Sequence, residues 1–178
     1  MVLPGQADES AGRTLHRGAG AQGNAALYYI SVDTLGEIGW ESGTFHKEGR
    51  PDSHVIEVLT EQTPAAYRAY LREHKVSYII AGSGTLDCKI AEEKLYRLFG
   101  IRKILICGGG TINWTFLQQG VVDELSLLIA PAADGGPAVS VFERSPLLPE
   151  GGPAEFGLKD VERLEGNGVR LVYTVKRI

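Results

Sequence analysis

Short apolar runs alternate with stretches of helical spacing from Leu27 to the end of the chain. Apolar or β-branched runs bounded by turn residues predict strands, and apolar residues three and four positions apart predict helices. The predicted strands are Leu27–Val32, His54–Leu59, Val76–Ile80, Lys103–Cys107, Leu125–Ala130, Leu158–Leu164 and Val169–Lys176. Strands and helices alternate in the middle of the chain, and the last two strands read as a hairpin. The pattern therefore predicts an α/β fold with a mixed, mainly parallel sheet, flanking helices and a C-terminal β-hairpin.

Two of the helices are predicted from their start and stop residues. Thr63 is expected to cap the first, with Pro64 in the first helical position, where its missing N–H costs nothing. This helix is expected to run to about His74. Asp87 is expected to cap the second, and Gly100 to end it in a left-handed conformation.

Three consecutive glycines, Gly108–Gly110, follow the predicted strand Lys103–Cys107 and precede a third short helix. The apolar centre of that strand has no polar residue on either face, which predicts a strand buried on both sides of the sheet. Thr111 or Asn113 is the expected cap of the helix, and Gly120 lies just past its end. Glycines let the backbone turn sharply and leave no side chain between it and a ligand.

A strand that ends in glycines and leads into a helix is a candidate phosphate site, because free N–H groups and the positive end of the helix dipole face outward there. The turn is not an ATP-type P-loop, since no Lys-Ser or Lys-Thr follows the glycines. It is not a GxGxxG motif either, since Thr111, Ile112 and Asn113 follow directly. A tight structural turn without a ligand remains the alternative.

Two further strand ends carry glycine or hydroxyl residues, Asp33-Thr34 and Gly82-Ser83-Gly84. Ligands of open α/β sheets bind beyond the carboxyl ends of the strands. The three ends together are expected to hold one extended dinucleotide. The alternative for Thr34 and Ser83 is ordinary turn chemistry.

Composition and charge narrow the function classes. The chain is 43% hydrophobic and 22% charged, which is typical of a globular protein with a real core. Its net charge of −4 and lack of a basic block argue against a nucleic-acid partner. No apolar run is long enough to span a membrane, and no secretory signal pattern begins the chain. The two cysteines form no disulfide framework and have no metal-ligand spacing, so no bound metal is expected. A pair of unpaired cysteines suits a reducing compartment, and a cytoplasmic location is therefore expected.

A family resemblance lies in the segment from Ile104 to Gly136, which reads ILICGGGTINWTFLQQGVVDELSLLIAPAADGG. This segment resembles the signature of the reductase domain of riboflavin biosynthesis. That domain is the C-terminal half of a bifunctional deaminase-reductase and shares its fold with dihydrofolate reductase. The segments YYISVDTLGEIGW, HVIEVLTEQTPAAYRAYLREHKVSYIIAG and EEKLYRLFGI are similar to stand-alone members of the group. The set is specific, whereas each motif alone is weak.

The resemblance implies an NADPH-dependent oxidoreductase that transfers hydride to a small heterocyclic or sugar-derived substrate and forms a homodimer. It implies that the glycine turn takes the pyrophosphate, that Thr34 lies near the 2′-phosphate, and that Gly82 and Ser83 border the adenine. The residues expected to contact NADPH are Thr34, Gly82, Ser83, Gly108, Gly109, Gly110, Thr111, Ile112 and Asn113.

No residue stands out as a general acid or base, because the nicotinamide would carry the redox chemistry. The substrate-contacting position is Cys107, where the family usually has Glu. Two alternatives remain: a non-catalytic nucleotide-binding or remnant module of the same fold, and a cysteine-dependent hydrolase centred on Cys107. A cysteine that is buried and packs as a small hydrophobic residue is the simplest expectation for this position.

The first 26 residues are rich in glycine, alanine and polar residues, and are expected to form a flexible or divergent arm ahead of a reductase domain at 27–178. Nothing in this arm resembles the family's first strands, which carry an Asp-Gly-type segment and lie centrally in the sheet. The domain is therefore expected to be N-terminally incomplete. A sheet without an inner strand is expected to associate with another chain.

Overall fold

The computed structural model describes residues 25, 27–133 and 135–176 of the 178-residue chain. Apart from Ala25, the predicted flexible arm lies outside these residues. The chain divides into two compact units, the first ending at Ile104 and the second beginning at Leu105.

The first unit contains a four-stranded sheet and two helices. Its strands are β1 (Tyr28–Val32), β2 (Thr44–Phe45), β3 (Ser53–Leu59) and β4 (Ser77–Ile80). Its helices are α1 (Ala65–Glu73) and α2 (Cys88–Phe99). β3 pairs in parallel with β1 and with β4, and the short β2 pairs antiparallel with the start of β3. The parallel arrangement brings the carboxyl ends of β1, β3 and β4 to one edge of the sheet.

Both faces of this parallel sheet are covered, as its apolar strands predict. On one face, a buried cluster joins β3, β4 and α1 and consists of Val55, Leu59, Leu71, Val76, Tyr78 and Ile80. On the other face, the ring of Tyr28 in β1 meets that of Phe99 in α2 edge-on, with centroids 5.9 Å apart.

The ends of α2 follow the sequence prediction. The Asp87 carboxylate accepts a hydrogen bond from the Ile90 N–H at 2.9 Å, and Gly100 closes the helix at φ 69°. The predicted cap of α1 is wrong. Thr63 is buried, and its hydroxyl donates to the Thr34 carbonyl oxygen at 3.2 Å instead of capping the helix, which has Pro64 at its N-cap position. The Thr63 hydroxyl thus bonds to an acceptor that is distant in sequence, and not to the start of the helix as the local pattern predicted.

The second unit contains one helix and a three-stranded sheet. The helix is α3 (Gly110–Gln118), and the strands are β5 (Glu124–Ile129), β6 (Phe156–Arg163) and β7 (Val169–Val175). β7 lies in the centre and pairs antiparallel with β5 and with β6. The strands thus form two sheets in the described part of the chain, one mainly parallel and one antiparallel, and not the single sheet that the sequence predicted.

The predicted buried strand Lys103–Cys107 is also wrong. The backbone there is not in a strand, and 77% of Leu105 is exposed. Within the described ranges, no strand pairs with this segment. A strand exists only where a neighbour completes its ladder of hydrogen bonds, so an apolar run alone does not make one.

Candidate functional site

In the first unit, the carboxyl ends of β1, β3 and β4 are tied together by hydrogen bonds. The Thr60 hydroxyl, just past β3, donates to the Thr34 carbonyl oxygen at 2.8 Å. The Glu61 N–H donates to the Gly82 carbonyl oxygen at 3.1 Å. The structure therefore brings the predicted site residues Thr34 and Gly82 to the same edge of the sheet, on either side of the end of β3.

Asp33 builds the turn that follows β1. Its buried carboxylate accepts hydrogen bonds from the N–H groups of Gly36, Glu37 and Ile38 at 2.8, 2.6 and 2.8 Å. Burial by itself would raise the pKa of Asp33, but these three donors outweigh it and hold the pKa below its usual value. Asp33 is thus a charged anchor that fixes the backbone next to Thr34.

Gly82 has a structural reason to be glycine. Its φ is 110°, and a Cβ there would lie 2.0 Å from the Thr85 carbonyl oxygen. Ser83, next in the chain, is exposed. The turn after β4 therefore explains Gly82 without a ligand and leaves the Ser83 side chain open to solvent.

In the second unit, the glycine turn begins α3 earlier than the sequence predicted. Gly109 is the N-cap residue and Gly110 the first helical residue, so the predicted caps Thr111 and Asn113 lie inside the helix. The Thr111 carbonyl oxygen accepts from the Thr115 hydroxyl at 2.8 Å, and the Asn113 side-chain amide donates to the Val141 carbonyl oxygen at 2.9 Å. Both predicted caps are therefore wrong.

The glycines of this turn have different surroundings. A Cβ on Gly110 would lie 2.7 Å from the Ser140 carbonyl oxygen, and one on Gly108 would lie 2.8 Å from the Ile112 side chain. A Cβ on Gly109 would meet nothing within 4 Å, and the φ of −64° at this residue is open to any amino acid. Neither packing nor backbone strain explains Gly109.

The start of α3 has the properties of an anion site. No side chain caps the helix, and its first turn has no acidic residue. The first N–H groups of a helix without such a cap face outward with the positive end of the dipole. One acidic residue is near: the Glu143 N–H donates to the Gly110 carbonyl oxygen at 3.0 Å, and the residue is exposed. The turn is therefore a candidate anion site, with open space at Gly109.

Cys107 precedes the turn and is exposed, so the expectation of a buried cysteine is wrong. Cys107 is exposed because Lys103–Cys107, predicted as a buried strand, does not form a strand. Cys88, by contrast, is buried at the start of α2, and burial raises the pKa of its thiol to about 12.

His46, His54 and His74 are candidates for the base that the hydrolase alternative needs, and each has a hydrogen-bond partner within the first unit. His46 Nδ1 lies 2.5 Å from the Asp52 carboxylate, and His54 Nε2 lies 2.8 Å from the Ser77 hydroxyl. His74 Nδ1 lies 2.9 Å from the Tyr70 carbonyl oxygen.

Sequence reasoning missed Glu57, an acid in the middle of β3. It is 0% exposed, and its Oε1 accepts a hydrogen bond from the Trp40 indole N–H at 2.6 Å. Burial raises the pKa of Glu57 to about 7 against the opposing effect of that hydrogen bond, and the nearby negative Asp33 adds to the rise. The available signal was a single acid within the apolar run HVIEVL, where an alternating strand would place it toward one covered face.

The predicted NADPH contacts are divided between the units. Thr34, Gly82 and Ser83 belong to the first, and Gly108–Asn113 belong to the second with Cys107. Among the described residues, no group of three or more His, Cys, Asp or Glu side chains is arranged to hold a metal ion. The helices within those ranges are all too short or too polar to cross a membrane.

Comparison with known proteins gives a family match. The model of the family described as the RibD C-terminal domain matches residues 46–169, which is more than half of the chain. The matched range contains β3, β4, the glycine turn and β5.

Two curated relatives have the same name, 2,5-diamino-6-ribosylamino-4(3H)-pyrimidinone 5′-phosphate reductase. The protein from Aquifex aeolicus is 32% identical over 85 residues, which are 48% of this chain and 38% of that protein. The protein from Methanothermobacter thermautotrophicus is 33% identical over 78 residues, which are 44% of this chain and 35% of that protein. The matched segments thus span little more than a third of either relative.

One solved structure has a similar fold. It is a pyrimidine reductase-like protein from Corynebacterium diphtheriae, with a TM-score of 0.65 at 20% identity. The match covers 85% of this chain and 62% of that protein. At this identity the likeness shows the fold alone, a mixed α/β architecture with three helices among the described residues.

Proposed function

Because the chain belongs to the RibD C-terminal domain family, we propose that it is an NADPH-dependent reductase of the riboflavin-biosynthesis type. We place its fold in the dihydrofolate-reductase-like group as part of the same proposal. The observation that carries the proposal is the uncapped start of α3, which lies inside the family match and has open space at Gly109.

The cofactor proposal assigns a role to each predicted contact. In the second unit, the free N–H groups from Gly109 to Ile112 bind the pyrophosphate through charge-assisted hydrogen bonds, and Asn113, whose N–H donates to the Gly109 carbonyl oxygen, lies beside it. In the first unit, the Thr34 hydroxyl meets the 2′-phosphate, and Gly82 and Ser83 border the adenine. When bound, NADPH supplies the hydride. The chain's residues bind and orient the reactants, and no side chain is assigned as a general acid or base.

The substrate proposal follows from the names of the relatives. Both are reductases of a ribosylamino-pyrimidinone 5′-phosphate, which combines a heterocycle with a sugar phosphate. We propose a substrate of this class for the present chain, with the exposed Cys107 at the substrate side of the turn. A thiol cannot accept hydrogen bonds as a carboxylate does, so Cys107 changes what this position recognises.

A nucleotide titration tests the cofactor proposal. We expect NADPH to bind more tightly than NADH, as measured by nucleotide fluorescence or calorimetry. Thr34→Val should reduce that preference, because it removes the hydroxyl and leaves the backbone carbonyl that Thr60 and Thr63 hold. No binding of either nucleotide at millimolar concentration would contradict the site.

Gly109→Val tests the turn itself. The new side chain meets no protein atom, so the variant should fold, with a loss of at most about 1 kcal/mol from the poorer N-cap. It should nevertheless weaken NADPH binding by more than about tenfold, or about 1.4 kcal/mol, because the side chain occupies the space of the pyrophosphate. Gly152→Val is the matched control, since a Cβ there also meets nothing within 4 Å.

An assay of NADPH oxidation separates the enzyme from its alternative. We expect oxidation of NADPH when the pyrimidinone phosphate substrate of the relatives is added. Binding of NADPH without turnover of any such substrate would instead favour a non-catalytic nucleotide-binding module.

A further inference from the structure

The buried carboxyl of Glu57 has a role that nucleotide binding does not explain. Its Oε1 accepts the Trp40 indole N–H, but among the described residues its Oε2 has no hydrogen-bond partner. A carboxylate that is removed from water with one oxygen unsatisfied is far more costly than a neutral carboxyl in the same place. The site therefore suits a protonated acid and resists a charged one.

The aromatic residues that cover Glu57 either belong to the loop at 34–40 or are hydrogen-bonded to it. Trp40 is the last residue of this loop, and its carbonyl oxygen accepts from the Tyr70 hydroxyl at 2.5 Å. The Tyr67 hydroxyl donates to the Ile38 carbonyl oxygen at 2.7 Å. Both tyrosines belong to α1 and pack with Trp40 against the core of this face. Water can reach the Glu57 carboxyl only if this aromatic cover moves, and the loop moves with it.

Other polar groups near Glu57 do not neutralise a charge on it. Ser31 of β1 and Tyr78 of β4 are its partners across the sheet. A hydrogen bond with the Ser31 side chain lowers the pKa of Glu57, but by less than burial raises it. The Tyr78 hydroxyl accepts from Arg72 at 2.9 Å. On the loop side, Asp33 is negative and raises the pKa of Glu57. On the α1 side, burial raises the pKa of Tyr67, so this hydroxyl stays neutral. Arg72 is the one cation among these groups, and its guanidinium donates to the Tyr78 hydroxyl and not to Glu57; the other groups are neutral or negative.

We propose that Glu57 is a proton-dependent clasp on the loop at 34–40: its neutral carboxyl keeps the loop closed through Trp40, and ionisation requires the loop to open to water. Glu57 acts through Trp40 and is a positioning residue. The proposal concerns the loop alone and does not depend on a bound nucleotide.

The expected pH dependence follows from the two states of the loop. Burial in the closed loop raises the pKa of Glu57 from 4.5 to about 7, whereas an open loop restores the ordinary value. At a pH between these two pKa values, Glu57 is ionised in the open state and protonated in the closed state. Opening should therefore increase about tenfold per pH unit from about 4.5 to about 7, and level off above that.

Hydrogen exchange of the loop amides measures this opening. The N–H groups of Gly36, Glu37 and Ile38 are bonded to the Asp33 carboxylate and exchange only when the loop opens. The pKa of Asp33 is lowered, so it stays charged throughout the range. After correction for the intrinsic exchange rate, wild-type protection should fall by about tenfold per pH unit below pH 7. Glu57→Gln keeps a carbonyl for Trp40 but cannot ionise, so its protection should be independent of pH.

His54 provides the control, because it is a second titratable group in β3, and burial lowers its pKa below the ordinary value. His54 and Glu57 are three positions apart in β3, so their side chains lie on opposite faces of the sheet. His54→Gln should therefore keep the wild-type slope. A slope that survives in Glu57→Gln, or one that disappears in His54→Gln, would overturn the clasp.

A second variant keeps the test decisive if Glu57→Gln does not fold. Trp40→Phe removes the indole donor, whose hydrogen bond lowers the pKa of Glu57. The loop should then open more often at every pH, and the slope should extend to a higher pH than in the wild type. If protection in Trp40→Phe levels off at the same pH as in the wild type, the proposal is also overturned.

Discussion

At the scale of single residues, glycine serves three different purposes in this chain. Gly82 requires a positive φ of 110°. Gly110 requires the absence of a side chain, because the Ser140 carbonyl oxygen occupies that space. Neither requirement applies at Gly109, where the proposed pyrophosphate site gives a glycine its purpose. The difference matters because only a substitution at Gly109 separates ligand binding from folding.

The two cysteines give a prediction at the same scale. Iodoacetamide should modify the exposed Cys107 in the native protein and leave the buried Cys88 unmodified until urea unfolds the chain. The thiolate is the reactive form, and burial raises the pKa of Cys88 to about 12, which slows its reaction further. Peptide mass spectrometry with and without urea measures both sites.

Cys107→Ser extends that experiment to function. We expect this variant to retain NADPH binding, because the helix N–H groups that hold the pyrophosphate are unchanged. Equal modification of both cysteines without urea would mean that α2 does not bury its first turn. A hydrolytic activity that is lost in Cys107→Ser would support the cysteine-hydrolase alternative.

At the scale of elements, the limits of α2 are set by residues within its own segment, whereas the start of α1 is not. The cap, the apolar spacing and the final glycine of α2 all lie within its own segment, and the structure keeps each of them. The expected cap of α1 depended on Thr63, whose hydroxyl a neighbouring loop takes. Helix limits are therefore predictable when no tertiary partner competes for the cap.

The cap of α2 should contribute measurably to stability. Asp87→Ala should lower the free energy of unfolding by about 1 kcal/mol, because the Ile90 N–H loses its acceptor. Asp87→Asn is the matched control and should change stability by only a few tenths of a kcal/mol, since asparagine caps about as well. Urea denaturation followed by circular dichroism compares the variants. Equal losses in both would assign the effect to the charge and not to the cap.

At the scale of the whole molecule, the two sheets differ in how their apolar faces are covered. The parallel sheet is buried on both sides, as sheets of this kind usually are. In the antiparallel sheet, pairing places Leu158, Val161 and Ile129 on the same face, and they are 61%, 55% and 50% exposed. Apolar residues that are grouped in this way on a surface favour association.

Self-association therefore stays a prediction for this chain. Sedimentation velocity over a wide concentration range should show a dimer or larger species, and the melting temperature should rise with protein concentration. Val161→Glu should shift the population toward monomer. Ser126→Glu, on the opposite face of the same sheet, is the control and should not. A monodisperse monomer with a concentration-independent melt would contradict the prediction.

The sequence by itself determined the features that depend on neighbours along the chain. It predicted β1, β3 and β4, the complete limits of α2 and the family, because apolar period, caps and motifs are local properties. The hairpin strands β6 and β7 were also placed within a few residues. The match to the RibD C-terminal domain family covers residues 46–169, which contain the segment from Ile104 to Gly136 that carries the resemblance.

Only the tertiary structure decided the features that depend on distant partners. The run Lys103–Cys107 has a strand's composition, but no described neighbour completes its ladder, so Leu105 and Cys107 are exposed. Glu57 is 17 positions from Trp40, and their hydrogen bond exists because the loop folds back over β3. Pairing, burial and long-range hydrogen bonds are properties of two segments at once, and a pattern in one segment cannot determine them.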